Sequence, residues 1–526
     1  MAWNPPEISR DQLVLFPHRL DEVLPSGHLA RRLVEILDQL DWSLWESSYK
    51  HDAAGRPPIH PKVMSGIVLY GLMRGMRSSR RLEEALEMRV DFRWLAEGRS
   101  IDHSTLCRFR QLHVSPLKNL FVQIALVAKQ AGILSLVELA VDGTKIRSSN
   151  NRSKALTVAD LINYRQQLEL RFEELNKEAD ALDSQQVGKQ EKLAKRSERL
   201  GNRLTAISRA IEEVEQLKKK ALPVPTKIPT TDVESRVTKC KEGNFAPNYT
   251  PVIAVDPKSG MIAATEVIAN CDEKSMLPAA MDEVEQELGQ RPERVLADTI
   301  FNHSSNLIEM DQRGIALHAP IDDPQDNPAI REDLTQPVTP SQHSKLPAQK
   351  GQLTSAAFVY DAQNNQFFCP QGKPMPFSSS YTEKLANGTD LKRHRYQASA
   401  EDCASCPLLK RCVKAKSGFR QVSRDDAEPL REQLRERMRT EPAKAAYDRR
   451  MQCERPFAAI KHVMGVRQFL HRGLDKVRNE WNWLASAFNH PFIVAFGPLN
   501  TVLARSQSIF FRRRIKRGGG IFVIKI

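Results

Sequence analysis

The chain has 526 residues, of which 41% are hydrophobic, so it can bury several cores and roughly two to four domains are expected. Its formal net charge of +14 favours a polyanionic partner, most commonly nucleic acid. The start of the chain lacks the pattern of a secretory signal, and the longest apolar run, near 492–504, is broken by glycine and proline, which argues against a membrane span. Eight cysteines in such a chain indicate reduced thiols in a cytosol.

Residues 1–130 are predicted to form a helical, DNA-binding domain. Helical periodicity runs through segments 29–42, 60–76 and 117–132. Asp102 or Ser104 can cap a further helix, which carries Arg108 and Arg110. With the basic segment 77–86 before it, this helix fits a helix-turn-helix-like reader whose arginines contact DNA. A compact helical bundle with a basic exterior is an equally good interpretation of any single helix.

A second domain is predicted at residues 131–495. The apolar, partly β-branched segment 136–142 predicts a buried strand that ends in Asp142. A carboxylate in that position is a common metal ligand, and it could equally cap a turn.

Two runs of apolar residues spaced seven apart occupy residues 155–221. The runs are Leu161, Leu168, Leu175 and Leu182, then Leu193, Leu200, Ile207 and Val214. This spacing predicts an antiparallel helical hairpin or short coiled coil, inserted in the domain for a structural role or for partner contact.

Strand and helix patterns alternate between residues 249 and 320. Two strands joined by a turn are followed by a helix, a short strand that ends in Asp298, another helix and another strand. This order predicts a mixed α/β sheet of the ribonuclease-H-like kind, in which Asp142 and Asp298 end neighbouring strands. Asp256 also ends a strand, but the Pro-Lys-Ser-Gly that follows it indicates a turn residue.

The segment 442–466 is predicted to form one amphipathic helix. At about 100° per residue, four polar residues fall within about 60° of one another: Tyr447, Arg450, Glu454 and Lys461. The adjoining apolar strip consists of Cys453, Phe457, Ile460 and Met464. Pro456 is expected to kink or start the helix close to the carboxylate. A carboxylate flanked by cations suits a metal ion and phosphate oxygens, and ordinary surface ion pairs are the alternative.

Three carboxylates from distant segments, Asp142, Asp298 and Glu454, can hold two Mg²⁺ ions about 3.5–4 Å apart. Such a pair activates water or a 3′-hydroxyl and stabilises the leaving oxygen in phosphodiester displacement. Oxygen ligands suit Mg²⁺ or Mn²⁺ rather than zinc.

A second insertion, rich in cysteine, is predicted at residues 322–430. Cys369, Cys403, Cys406 and Cys412 are spaced C-x33-C-x2-C-x5-C. The spacing fits a tetrahedral structural zinc site, with an iron–sulfur cluster or unligated thiols as the alternatives. Nearby Lys410, Arg411, Lys414 and Lys416 make this insertion a candidate DNA contact. The basic tail 496–526 is either solvated or a non-specific phosphate contact.

The order Tyr447-x2-Arg450-x3-Glu454-x6-Lys461 resembles the Y-R-E-K signature of bacterial insertion-sequence transposases with a DDE catalytic triad. VDGTKI and VLADTIFN, which contain the two predicted catalytic Asp residues, are similar to that family's two Asp segments. GRPPIHP and DHSTLCRFR resemble its helical N-terminal domain, and DCASCPLLKRC resembles the cysteine insertion of one subgroup.

The resemblance implies a ribonuclease-H-like fold and a transposase that binds the terminal repeats of its element and a target DNA. It implies that Asp142, Asp298 and Glu454 hold Mg²⁺, and that Tyr447, Arg450 and Lys461 contact phosphate, or a displaced base, near the cleaved end. It further implies a DNA-bound homodimer or larger oligomer in the bacterial cytoplasm, associated with the nucleoid.

The sequence departs from the family pattern at Ile300 and Phe301 and after residue 489. A related nuclease without strand transfer and a catalytically inactive, transposase-derived DNA-binding repressor are therefore the alternatives.

Overall fold

The computed structural model describes residues 19–49, 57–150, 154–180, 187–220, 223–240, 243–269, 273–322, 326–385, 388, 390–413 and 418–495. They form two compact units. The first unit takes the described residues within 1–273, 280–291 and 451–526, and the second takes those within 274–279 and 292–450. No helix within these described ranges is both long and apolar enough to cross a membrane. The predicted basic tail 496–526 lies outside the described residues.

Helices fill the N-terminal part of the first unit: α1 (Leu29–Leu37), α2 (Ser43–Glu46), α3 (Pro61–Met73), α4 (Ser79–Met88), α5 (Val90–Leu95), α6 (His103–Leu112) and α7 (Val114–Gln130). α3 begins at Pro61, where a missing N–H costs nothing, and it is buried along nearly its whole length because α1, α4, α5 and α6 pack around it. α6 begins after Asp102, whose carboxylate accepts the N–H of Thr105 at 2.8 Å. The predicted cap is therefore confirmed for Asp102.

The strands of the first unit are β1 (Glu138–Gly143), β2 (Ile146–Arg147), β3 (Ala155–Leu156), β4 (Ile228–Pro229), β5 (Arg236–Lys239), β6 (Phe245–Val255) and β7 (Ile262–Ile268). β6 is the long central strand, and it pairs antiparallel with β1 and β2 on one side and with β5 and β7 on the other. Asp256 turns the chain from β6 into β7, since its carboxylate accepts the hydroxyl of Ser259 at 2.7 Å. The prediction that Asp256 is a turn residue is confirmed.

Two long helices, α8 (Val158–Asp180) and α9 (Val187–Lys219), lie where the apolar residues spaced seven apart predict them. They pack against each other over a core that includes Leu161, Leu168, Ile207 and Val214. Leu182 lies outside the described residues. β3 and β4 pair antiparallel, and Ile228 of β4 belongs to the same core.

The helix α10 (Met276–Leu288) follows β7 in the chain, and α16 (Glu454–Ala458) and α17 (Leu474–Ala495) complete the first unit. α17 packs on α3, α7 and β7. The amide of Asn489 bonds to both backbone polar groups of Ile262, at 2.9 and 2.8 Å, and the indole of Trp481 donates to Thr265 at 2.6 Å. These bonds join α17 to β7, so one helix packs against both the N-terminal helices and the sheet.

The second unit contains the parallel pair β8 (Arg294–Ala297) and β9 (Ala316–His318), joined through α11 (Ser304–Gln312). α14 (Glu428–Arg439) and α15 (Glu441–Asp448) pack against these strands. The elements between β9 and α14 are β10 (Ala348–Gln349), β11 (Gln352–Leu353), β12 (Val359–Asp361), β13 (Gln366–Phe368), β14 (Pro374–Lys384), β15 (Asp390–Gln397), α12 (Ala400–Ala404), α13 (Leu409–Cys412) and β16 (Gln421–Asp425).

Strands β12 to β16 form an antiparallel sheet in chain order, with a core of apolar residues drawn from 329–422. The mixture of helices with antiparallel and parallel strands confirms the predicted α/β class.

Candidate active site

Asp142 lies at the end of a buried strand, as predicted. Leu139, Ala140 and Val141 of β1 are fully buried, and Asp142 pairs with Ile253 of β6. The apolar residues hold the strand inside the unit and leave the carboxylate half-buried at its end. One carboxylate oxygen accepts the N–H of Gly143 at 2.8 Å.

The residue before Glu454 docks on the same strand. Cys453 is fully buried, and its thiol donates to the carbonyl of Ala140, 3.1 Å away. Glu454 itself is exposed and begins α16. Ala140 is two residues before Asp142 and therefore on the same face of β1. The first unit thus brings the Glu454 segment to the strand that carries Asp142.

Lys461 reaches the loop that follows β1. Its ammonium donates to the buried hydroxyl of Thr144 at 2.5 Å. Further along, Phe469 donates its N–H to the carbonyl of Arg147 in β2 at 2.8 Å. The segment after Glu454 therefore runs along the chain from Thr144 to β2. It places the Lys461 ammonium on Thr144, which is two residues after Asp142 in the chain.

The segment 442–466 does not form the single helix that its periodicity predicts. α15 ends at Asp448, a 3₁₀ turn spans Arg449–Cys453, α16 begins at Glu454, and a π-helical turn covers Ala459–Val463. Pro456 stands in the first turn of α16, where its missing N–H is tolerated, so it starts a helix, one of the two outcomes predicted for it. The rotation of about 100° per residue, on which the predicted polar face rests, does not hold through the 3₁₀ and π turns, so that face stays a prediction.

The predicted apolar strip is confirmed. Cys453, Phe457, Ile460 and Met464 are all at most 8% exposed. Burial requires only that each of these side chains point inward, and they do so although the helix type changes along the segment.

Sequence reasoning missed Glu273. A Cβ built on Gly143 would lie 2.3 Å from a carboxylate oxygen of Glu273, so this carboxylate fills the space beside the residue that follows Asp142. In the sequence, Glu273 is an acidic residue just before α10. Acidic residues before helices are too common to be identified as candidate site residues without the tertiary structure.

Asp298 belongs to the second unit. It follows the buried end of β8 and caps a 3₁₀ turn, with its carboxylate accepting the N–H of Thr299 at 2.6 Å. Its position after a strand agrees with the sequence. That it shares a metal ion with Asp142 and Glu454 stays a prediction.

Tyr447 and Arg450 form a pair in the second unit. The guanidinium carbon of Arg450 lies 5.8 Å from the centre of the Tyr447 ring, within the range of a cation–π contact. Both side chains are half-buried.

The structure separates the two arginines of α6. Arg108 is exposed, whereas Arg110 is 4% exposed and donates to the carbonyl of Arg77 at 2.6 Å. Burial lowers the pKa of Arg110, and the nearby Glu480 carboxylate opposes this shift. The Arg110 guanidinium therefore bonds within the first unit, and the exposed Arg108 is the better placed of the two for DNA. DNA contact by either arginine stays a prediction.

The four clustered cysteines line one pocket in the second unit. Of the basic residues near them, Lys410 is exposed and Arg411 donates to the carbonyl of His343 at 2.8 Å, while Lys414 and Lys416 lie outside the described residues. Throughout the described part of the chain, no three His, Cys, Asp or Glu side chains stand in an arrangement ready to hold a metal ion.

Two segments match known protein families. Residues 18–112 match a model described as a transposase domain (DUF772), and residues 368–491 match one described as a transposase DDE domain. The first segment contains α1 to α6, and the second contains Glu454, Lys461 and the four cysteines, while Asp142 and Asp298 lie outside both. No curated protein matches the chain.

Proposed function

We propose that the chain is the transposase of an insertion sequence. It would bind the terminal repeats of its element, cleave them with the aid of a divalent metal and join them to target DNA. The two family matches support a transposase that acts on DNA. The observation that carries the proposal is the docking of the Glu454 segment on β1 and the loop after it. Cys453 bonds to Ala140 of β1, and Lys461 bonds to Thr144 of the loop.

The catalytic fold would be ribonuclease-H-like, as the DDE family match implies. In the first unit, β1 pairs with a β6–β7 hairpin, and in the second unit a parallel βαβ motif carries Asp298. Both motifs agree with the mixed sheet expected from the sequence.

Asp142, Asp298 and Glu454 would hold Mg²⁺ or Mn²⁺. Their carboxylate oxygens fit the preference of these ions for hard oxygen ligands. When bound, the metal would activate the attacking oxygen and stabilise the leaving one.

The remaining residues of the signature would bind and orient DNA. Lys461 supplies a positive charge fixed by its bond to Thr144, close to where the scissile phosphate would meet Asp142. Tyr447 and Arg450 present a ring and a guanidinium side by side, a combination that suits a phosphate or an unstacked base. Exposed Arg108 would contact the DNA backbone from the N-terminal helices.

The experiment uses DNA fragments that span the regions on either side of the coding sequence, since these contain the ends of the element. Purified full-length chain is incubated with the labelled fragments, with and without Mg²⁺, beside the Glu454→Gln variant. We expect cleavage at discrete positions that needs both the metal and Glu454.

Other outcomes separate the alternatives. Binding with intact strands at every metal concentration would indicate a repressor. Cleavage without joining to a supercoiled target plasmid would indicate a nuclease. Cleavage by Glu454→Gln at the wild-type rate would contradict the assigned site. The proposal also expects a homodimer or larger assembly on the DNA ends, in the bacterial cytoplasm at the nucleoid.

A further inference from the structure

A pocket in the second unit is lined by four thiols that the proposed DNA chemistry does not use. Cys369 follows β13, Cys403 and Cys406 stand in and after α12, and Cys412 ends α13. All four line one cavity of about 30 Å³, with Leu353, Phe358 and Leu408 among its apolar walls. Segments up to 43 residues apart in the chain (369 to 412) therefore border one small space, which is large enough for a water molecule or an ion.

Backbone N–H groups point at two of these sulfurs. The N–H groups of Gln371 and Lys373 bond to the sulfur of Cys369 and oppose the rise that burial causes in its pKa. Those of Leu408 and Leu409 do the same for Cys406. An N–H dipole aimed at sulfur stabilises the thiolate, which is the form that binds a metal.

The turn that holds Cys369 tolerates only glycine at residue 372. Gly372 has φ +74°, and a Cβ there would lie 2.0 Å from the carbonyl oxygen of Thr335. The turn is closed by the N–H of Cys369, which donates to the carbonyl of Lys373 at 3.0 Å. The backbone around this sulfur is thus fixed by close packing.

Four thiolates without a cation would be unstable in this pocket, whereas a bound cation would stabilise them. Burial raises the pKa of Cys369, Cys406 and Cys412, the last to about 11, and the thiolates repel one another. Arg420 lies close enough to Cys412 to lower its pKa in part.

We propose that Cys369, Cys403, Cys406 and Cys412 bind one Zn²⁺ ion. Binding releases the thiol protons to solvent, so four thiolates surround the ion in a tetrahedron. The site closes the edge of the β12–β16 core, to which Cys412 contributes and against which the other three cysteines pack. A C-x2-C pair with two further thiols is the ligand set of many structural zinc sites. This proposal does not depend on the proposed function, because zinc content is measured without DNA.

The test measures metal in the full-length chain, purified through a tag without histidines after growth with added zinc. We expect about one zinc per chain by elemental analysis. Cys403→Ser and Cys412→Ser should lower the zinc content severalfold. Cys107→Ser, in α6 of the first unit, is the matched control and should leave the zinc content unchanged. Since protons compete for the thiolates, zinc release should increase as pH falls.

The Cys403→His variant tests whether the serine variants lose zinc only because serine disturbs the fold. Histidine is also a zinc ligand, so this variant should keep near-stoichiometric zinc if the site is real. The proposal fails if the wild-type chain contains no zinc, if the two serine variants keep it, or if Cys107→Ser loses it. Iron with acid-labile sulfide and a visible absorption band would also overturn it in favour of an iron–sulfur cluster.

Discussion

Single residues decide whether the candidate site is catalytic. We expect Asp142→Asn and Asp298→Asn each to abolish cleavage of end fragments and to leave DNA binding unchanged within about twofold, because an amide keeps the shape of the side chain but loses the charge that binds the metal. Gel-shift and cleavage assays on the same fragments measure both properties. A variant that cleaves at the wild-type rate would remove its residue from the site.

Lys461 tests the predicted contact with the cleaved end. Its ammonium already bonds to Thr144, so it is held in place for a phosphate. We expect Lys461→Ala to weaken binding of pre-cleaved ends by about tenfold, the value of one charge-assisted hydrogen bond. Lys476→Ala, at an exposed residue of α17, is the control and should bind pre-cleaved ends normally. Unchanged binding and strand transfer by Lys461→Ala would reject its phosphate role.

Gly143 and Glu273 test a fourth carboxylate beside Asp142. A methyl group at residue 143 would overlap the Glu273 carboxylate, which must then move. We expect Gly143→Ala and Glu273→Gln each to raise the Mg²⁺ concentration for half-maximal cleavage severalfold, since the first displaces the Glu273 carboxylate from its place near Asp142 and the second removes its charge. Gly27→Ala, where a Cβ meets no neighbour within 4 Å, is the control. If both variants show the wild-type Mg²⁺ dependence, Glu273 plays no part in metal binding.

At the scale of elements, the helical pair α8–α9 follows from sequence periodicity. Leu168 is 4% exposed in its core, whereas Leu170 on the same helix is 62% exposed. We expect Leu168→Ala to destabilise the pair by about 2–4 kcal/mol because it leaves a cavity, and Leu170→Ala to change stability by at most about 0.5 kcal/mol.

Limited proteolysis within α8 and α9, followed over time, measures the stability of this pair, because a packed helix must open before it is cut. A structural role for the pair predicts that Leu168→Ala is cut faster than Leu170→Ala while both still bind end fragments. Equal rates of cutting would contradict the packing of Leu168.

Elements near the candidate site were harder to predict than the helical pair. Periodicity identified the buried strip of Cys453, Phe457, Ile460 and Met464, but it placed Tyr447 to Lys461 on one regular helix. The 3₁₀ and π turns on either side of α16 are not encoded in a 3.6-residue repeat. They arise because the chain must place Cys453 against β1 and Lys461 against Thr144 at once.

For the whole molecule, a buried carboxylate on α17 joins segments distant in sequence. Glu480 is 2% exposed and accepts bonds from Arg77, from the N–H groups of Leu470 and His471, and from the His471 ring. Arg77 also donates to the carbonyls of Gly465 and Gln468. This network connects the N-terminal helices to the segment that follows Glu454, and so joins residues from both segments that match the transposase families.

Removing the charge of Glu480 should destabilise the first unit. We expect Glu480→Gln to lower the free energy of unfolding by about 3 kcal/mol near neutral pH, because Arg77 would be left without its buried partner. Asp475→Asn on the same helix, whose side chain is 82% exposed, is the control. Urea unfolding followed by circular dichroism measures both.

The stability difference between the wild type and Glu480→Gln should also depend on pH. His471 and Arg77 hold the pKa of Glu480 below its usual value of 4.5 although burial opposes this. A lowered carboxyl pKa stabilises the fold fully above the unfolded pKa, and this contribution is lost as pH falls through the folded pKa. The stability difference between the wild type and Glu480→Gln should therefore be constant near neutral pH and shrink below about pH 4.5. A difference that does not change with acid would contradict an ionised Glu480.

The sequence by itself determined the buried strip that begins at Cys453, the core of the helical pair α8–α9, and that Asp142 and Asp298 each follow a strand. These properties depend on neighbours a few residues away, and a repeat in the sequence records them. Only the tertiary structure decided which segments meet. Cys453 and Ala140 are 313 residues apart in the chain, and Lys461 and Thr144 are 317 apart. The position of Glu273 beside Gly143 and the grouping of the four cysteines around one pocket are likewise contacts between separate segments. Periodicity shows that a face is buried but not what it is buried against, because that choice is made by the packing of the whole chain.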